Sequence, residues 1–141
     1  MNHKSSSQDR LFRAEFETCQ IPPASVNHRA HIRLAYTYLV ENEDDAALNL
    51  MRSALQAFLR HNEMDVSKYH ETMTRAWILA VRHFMQISSP CESADAFIEA
   101  NPIMLNTKIM MTHYSAEAIF SPEARARFVE PNLEEIPRHD P

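Results

Sequence analysis

The chain has 141 residues, with 14 Lys and Arg against 19 Asp and Glu for a net charge of -5, and it contains no glycine. That length is one domain's worth, able to bury roughly two thirds of the surface the unfolded chain exposes. The acidic balance argues against duplex nucleic acid and anionic membrane surfaces as partners, since both are bound through cations. The missing glycine argues against P-loops and dinucleotide-binding turns, whose backbone must approach phosphate without a Cβ in the way.

In chain order, residues 1–8 read as a disordered polar tail without the apolar run of a secretory signal. A single helical domain is expected over 9–130, and an extended tail over 131–141. The spacing predicts a short helix over 9–19 with Leu11, Phe12 and Phe16 on one side, closed by Pro22 and Pro23. A longer helix opens near Ser25 or Asn27, both suitable N-caps, and runs to residue 41. Asn42 is a plausible stop because asparagine tolerates the left-handed conformation.

At 100° per residue from His28, His31 falls at about 300°, Ala35 at about 340°, Tyr38 at about 280° and Leu39 at about 20°. Arg29, Arg33 and Thr37 take the opposite side. Both histidines therefore lie inside the apolar arc.

Asp44 and Asp45 place negative charge at the start of a third helix over 44–61, where the macrodipole favours it. Its apolar side is Ala47, Leu50, Met51, Ala54, Leu55 and Phe58. After a loop over 62–66, Ser67 is expected to cap a helix reaching residue 87. On that helix His70 shares a face with Met73, Thr74, Trp77, Ala80, Val81 and Phe84, while Glu71 precedes Arg75 by four residues as an exposed ion pair. Ser89-Pro90 reads as a further helix start. The methionine-rich run 103–111 reads as a helix laid across the open end of the bundle. Short helical pieces are expected after Tyr114-Ser115 and at Ser121-Pro122-Glu123. Arg125 and Arg127 are expected solvated, or paired with Glu123 and Glu130.

No alternating pattern suggests a strand. The fold class is therefore all-α, an irregular bundle of three longer helices with three or four short ones. Cys19 and Cys91 belong to no CxxC motif, which fits reduced thiols in a cytoplasmic protein. The longest apolar run, 76–81, is far short of the roughly 20 residues that span a bilayer.

The functional expectation rests on His28, His31 and His70 turning into one interior pocket. As ligands they would hold a divalent transition metal such as zinc in an open three-nitrogen site, of the kind that supports hydrolysis. Thr74 or Tyr38 would then orient a bound water. Two readings stand beside this. One is a metal-free pocket for a small-molecule ligand or acid/base chemistry, lined by Tyr38, Tyr69, Thr74 and Trp77. The other makes the histidines neutral core groups, hydrogen-bonded to the Thr72, Thr74, Tyr38 and Tyr69 hydroxyls or to backbone carbonyls, with Trp77 as core anchor. The alternative of a different class is an interaction or regulatory module, docking a partner or forming a homodimer through an exposed Met104, Met110 and Met111 surface.

Four patches carry a resemblance. They are His28, His31, Ala35, Tyr38 and Leu39; Tyr69, His70, Glu71, Thr72, Thr74 and Trp77; the pair Tyr114-Ser115; and Ser121, Ala124, Arg125, Phe128, Val129 and Pro131. In this order the chain resembles a family of small all-helical bacterial proteins without an assigned activity. It departs from that pattern at Asn132, where aspartate is expected, and in lacking an aromatic residue just before His28. The resemblance implies the fold and the residues to watch, and no mechanism.

Overall fold

A computed structural model of the chain describes residues 2–139. The described residues are all-α and contain no strand. Helix α1 spans Ser7–Glu17, α2 His28–Glu41, α3 Asp44–His61 and α4 Glu71–Ile87. Three short helices follow: α5 Ala94–Ala100, α6 Ala116–Ile119 and α7 Pro122–Ala126. Among the described residues no helix is long and apolar enough to cross a membrane.

Capping chemistry sets most of these starts. The Asn27 side chain accepts from the Ala30 N–H at the head of α2. Ser93, Ser115 and Ser121 do the same for α5, α6 and α7, each satisfying a donor that has no partner inside its helix. Ser93, not Ser89, starts α5, so Ser89-Pro90 stays in the preceding loop.

Helices α2, α3 and α4 pack on one another, with α1 and α5 closing against α2. Helix α2 is thereby covered on most sides: Leu34, Tyr36, Thr37 and Tyr38 are all buried. Thr37, expected on an exposed face, instead donates its hydroxyl to the Arg33 carbonyl at 2.7 Å. The single amphipathic stripe suits a helix at the surface, and α2 is at the centre. On the outer helices two residues expected to face inward, Leu11 and Leu50, are exposed.

The N-terminal residues 2–8, expected to be disordered, are held by specific bonds; Met1 lies outside the described residues. His3 Nδ1 accepts from the Cys91 N–H (3.1 Å), so its Nε2–H donates to the Met85 carbonyl (2.7 Å). The Lys4 N–H donates to the Cys91 carbonyl (2.8 Å), and the Lys4 carbonyl accepts from the Tyr36 hydroxyl (2.7 Å). Partners so distant in sequence leave no local signature.

The segment expected as one helix over 103–111 is two 3-10 helices, Pro102–Leu105 and Thr107–Thr112. Asn106 between them caps the second by accepting from the Lys108 N–H. The split alters the methionines: Met104 and Met110 are buried and Met111 is exposed, so no shared methionine surface faces solvent for a partner or second copy. Met110 joins Ala76, Leu79, Tyr114, Ile119 and Ile136 in a second apolar cluster. Through Ile136 the C-terminal segment, without regular structure over 131–139, covers the outer side of α4; Asp140 and Pro141 lie outside the described residues. Buried Thr72 ties down the stretch leading into that segment, donating to the Arg127 carbonyl (2.8 Å) and accepting from the Val129 N–H (3.0 Å). The Tyr114 hydroxyl donates to the Val129 carbonyl (2.5 Å).

Helix ends show what the missing glycine costs. Cys19 (φ 60°) and Glu63 (φ 55°) take the left-handed position after α1 and α3, whereas Asn42 is extended at φ -140°. The Met64 N–H bonds the Leu59 carbonyl (2.8 Å) and the Glu63 N–H the Arg60 carbonyl (3.1 Å), a Schellman ending. Replacing Glu63 by glycine is expected to raise stability by about 0.5–1 kcal/mol, read as a higher urea midpoint at unchanged slope. An unchanged or lower midpoint contradicts this.

A candidate small-molecule cavity beside the histidine helices

A cavity of about 670 Å³ opens where α2, α3 and α4 meet the 3-10 helix Thr107–Thr112. Six of the seven residues expected at the site line it: His28, His31, Tyr69, His70, Thr74 and Trp77. Tyr38 does not. Its angle on the wheel was close to that of His31, but seven residues of helix carry it about 10 Å further along the axis. There its buried hydroxyl donates to Glu17 Oε2 (2.5 Å), and burial with that carboxylate pushes the phenol's pKa upward.

Each cavity histidine is fixed by backbone. His28, in the first turn of α2, donates from Nε2 to the Met104 carbonyl (2.8 Å) and sets its ring edge-on to Trp77, 4.7 Å between centroids. His31 folds back one turn to donate from Nδ1 to the Asn27 carbonyl (2.9 Å). His70 is not inside α4, as expected, but is its N-cap, displacing Ser67 from that role. Its Nδ1 accepts from the Met73 N–H (3.0 Å), so Nε2 carries the proton and donates to the Ile119 carbonyl (2.6 Å).

This geometry decides between the ligand sets. Both nitrogens of His70 are occupied, and His28 and His31 each keep one lone pair, at Nδ1 and Nε2 respectively. A three-nitrogen zinc site needs three free lone pairs converging on one point. Among the described residues no three His, Cys, Asp or Glu side chains gather as metal ligands. As the rings stand, the expected His28, His31 and His70 set therefore does not present the three lone pairs that metal needs.

What remains is polar chemistry of a defined kind. With their other nitrogens donating, His28 Nδ1 and His31 Nε2 are hydrogen-bond acceptors, and neither has a partner among the described residues. Among the described residues no polar side-chain atom sealed from solvent lacks a partner, so both face accessible space. Thr74 spends its hydroxyl proton on the His70 carbonyl (2.8 Å). Tyr69 is buried, its pKa raised by that burial, and it donates to Glu71 Oε1 (2.8 Å). Glu71 in turn takes a two-point ion pair from Arg52 of α3, at 2.9 and 2.5 Å, which holds its carboxyl below the usual range. The expected pair with Arg75 is replaced by this bridge between helices.

Apart from Lys68, Thr107 and Lys108, the remaining lining is apolar. Met51, Met64, Met73, Met110 and Met111 contribute flexible thioethers, and Phe58 and Phe120 add aromatic surface. Sequence reasoning missed most of these. Their signals are the face Met73 shares with His70, the apolar side of α3 that holds Met51 and Phe58, and the methionine run over 103–111, whose pattern reads as packing or an interaction surface. Of the C-terminal arginines, Arg127 pairs with Glu123 (2.9 Å), Arg125 donates to the Ser67 carbonyl (3.1 Å), and Glu130 pairs with Arg138.

Burial lowers the pKa of both His31 and His70 from 6.5, the loss of hydration outweighing the carbonyls that accept their protons. Unfolded histidines take up protons as pH falls through 6.5 while these two resist. Stability is thus fully present above that value and is lost below it. Urea unfolding is expected to give a lower free energy at pH 5.5 than at pH 8, with the slope reduced in His31→Asn. A pH-independent value over that window contradicts the assignment.

No family model, curated protein or solved structure matches this chain.

Proposed function

We propose that the protein binds a small, predominantly apolar molecule in this cavity, with a hydrogen-bond donor of the ligand meeting His28 Nδ1 or His31 Nε2. The observation that carries the reading is a largely apolar cavity of about 670 Å³ lined by two histidines whose second ring nitrogens have no partner among the described residues. Its volume falls within the roughly 300–1,000 Å³ of small-molecule sites, and apolar walls with a few placed polar groups are their usual composition. Five methionines among the lining suit ligands of variable shape.

A neutral alcohol supplies both requirements, an apolar body and one donor. In thermal unfolding, 1-octanol is expected to raise the melting temperature of the wild-type chain by several degrees. Ligand at 100 times its Kd adds about 2.7 kcal/mol to the folded state. Thr74→Phe, which fills the cavity from α4, is expected to retain helical circular dichroism and lose the shift. An unmoved wild-type transition, or an equal shift in a folded Thr74→Phe chain, overturns the reading.

A further inference from the structure

The charge around the cavity runs against that of the chain. The protein carries a net charge of -5, yet no Asp, Glu or Arg lines the cavity among the described residues; its charged lining residues are Lys68 and Lys108. Both lysines are exposed, as are Met111 and Phe120, so they stand at the solvent-facing part of the lining while buried Met51, Phe58 and Met110 form its interior. Neither lysine is in an ion pair among the described residues. The two acids nearest Lys68 in sequence, three residues away on either side, are Glu71, which is held by Arg52, and Asp65, which accepts from the Ser67 N–H and is kept below its ordinary range by that bond first and by the Lys68 charge in smaller part.

Resting on the small-molecule reading above, we propose that the ligand is an anionic amphiphile, an apolar chain or ring system that carries a hydroxyl for one of the imidazole acceptors and ends in a carboxylate. The apolar body occupies the methionine-lined interior, and the carboxylate stays at the mouth between water and the two ammonium groups. An anion there keeps part of its hydration, which avoids the cost of burying a charge. A cationic head group has no counter-charge in the lining. The two histidines offer acceptors, which repel a carboxylate from the interior and so orient the molecule.

8-Hydroxyoctanoate and 1-octanol share a chain length and a terminal hydroxyl and differ in the carboxylate at the other end, so their affinities separate the contribution of the anion from that of the cavity. By isothermal titration calorimetry of the full chain at pH 7.5, 8-hydroxyoctanoate is expected to bind at least tenfold more tightly than 1-octanol. In Lys68→Gln/Lys108→Gln the ratio of the two affinities is expected to fall toward one, and in the wild type it falls as salt is raised. Equal affinities in the wild type, or a ratio the double variant leaves intact, overturn the anion proposal while the cavity remains a site. Failure of both compounds to bind overturns the small-molecule reading and this one with it.

Discussion

Replacing Asp9 by alanine is expected to destabilise the protein by about 3 kcal/mol, the lower end for breaking a buried ion pair from one side. Asp9 is buried, and its carboxylate is a junction. It accepts from the Ser6 N–H (3.0 Å), completing the capping box of α1, and from the Ala94 N–H (2.8 Å) at the first residue of α5. Arg33 of α2 donates to it through Nε at 3.1 Å. Burial by itself raises a carboxyl pKa, and these donors outweigh it, so Asp9 is held below its ordinary 3.8. Alanine leaves two backbone N–H groups and a guanidinium without their acceptor. Against a total stability of about 5–15 kcal/mol, that is a large share. Asparagine keeps one acceptor oxygen and loses the charge, and is expected to fall between alanine and wild type. Urea midpoints of the three chains check this order; an Asp9→Ala midpoint within experimental scatter of wild type contradicts it.

Trp77→Ala is expected to cost about 3 kcal/mol, the low end of the range for truncating a core tryptophan because the indole is half-buried. Trp77 packs against both apolar clusters and forms cavity wall beside His28. Its removal enlarges a cavity that already exists. Indole added in solution is therefore expected to recover part of the lost melting temperature in Trp77→Ala, and to recover more there than it adds to wild type, as apolar molecules occupy engineered voids of matching shape. A loss below 1 kcal/mol, or a loss that indole does not touch, places the ring outside the packing described.

The parts of this structure legible in the sequence are those written by local chemistry. Asn27 and Ser121 are caps in sequence and in space, and α2 and α3 have the bounds their patterns indicate. The helical wheel brings His28 and His31 to the cavity because they are one turn apart. It misplaces Tyr38 because an angle carries no information about axial rise. His70 reaches the site by another route, as a cap whose ring bonds a carbonyl 49 residues away. Asp9 reads only as the first residue of the helix over 9–19, since its partners at positions 33 and 94 are remote. Lys68 and Lys108 were invisible for the same reason: nothing local shows that a 3-10 turn after α3 and one after α5 border the same space.

The cavity's occupancy by a small apolar ligand is tested most directly by the methionine methyls. The chain has eight methionines, and five of them line the cavity, whereas buried Met85 does not. With methionines carbon-13 labelled at the methyl, titration with 8-hydroxyoctanoate or 1-octanol is expected to move Met51, Met64, Met73, Met110 and Met111 together along one saturable curve, leaving Met85 in place. Five methyls that stay fixed, or a drift shared equally by Met85, would contradict a ligand site at this position.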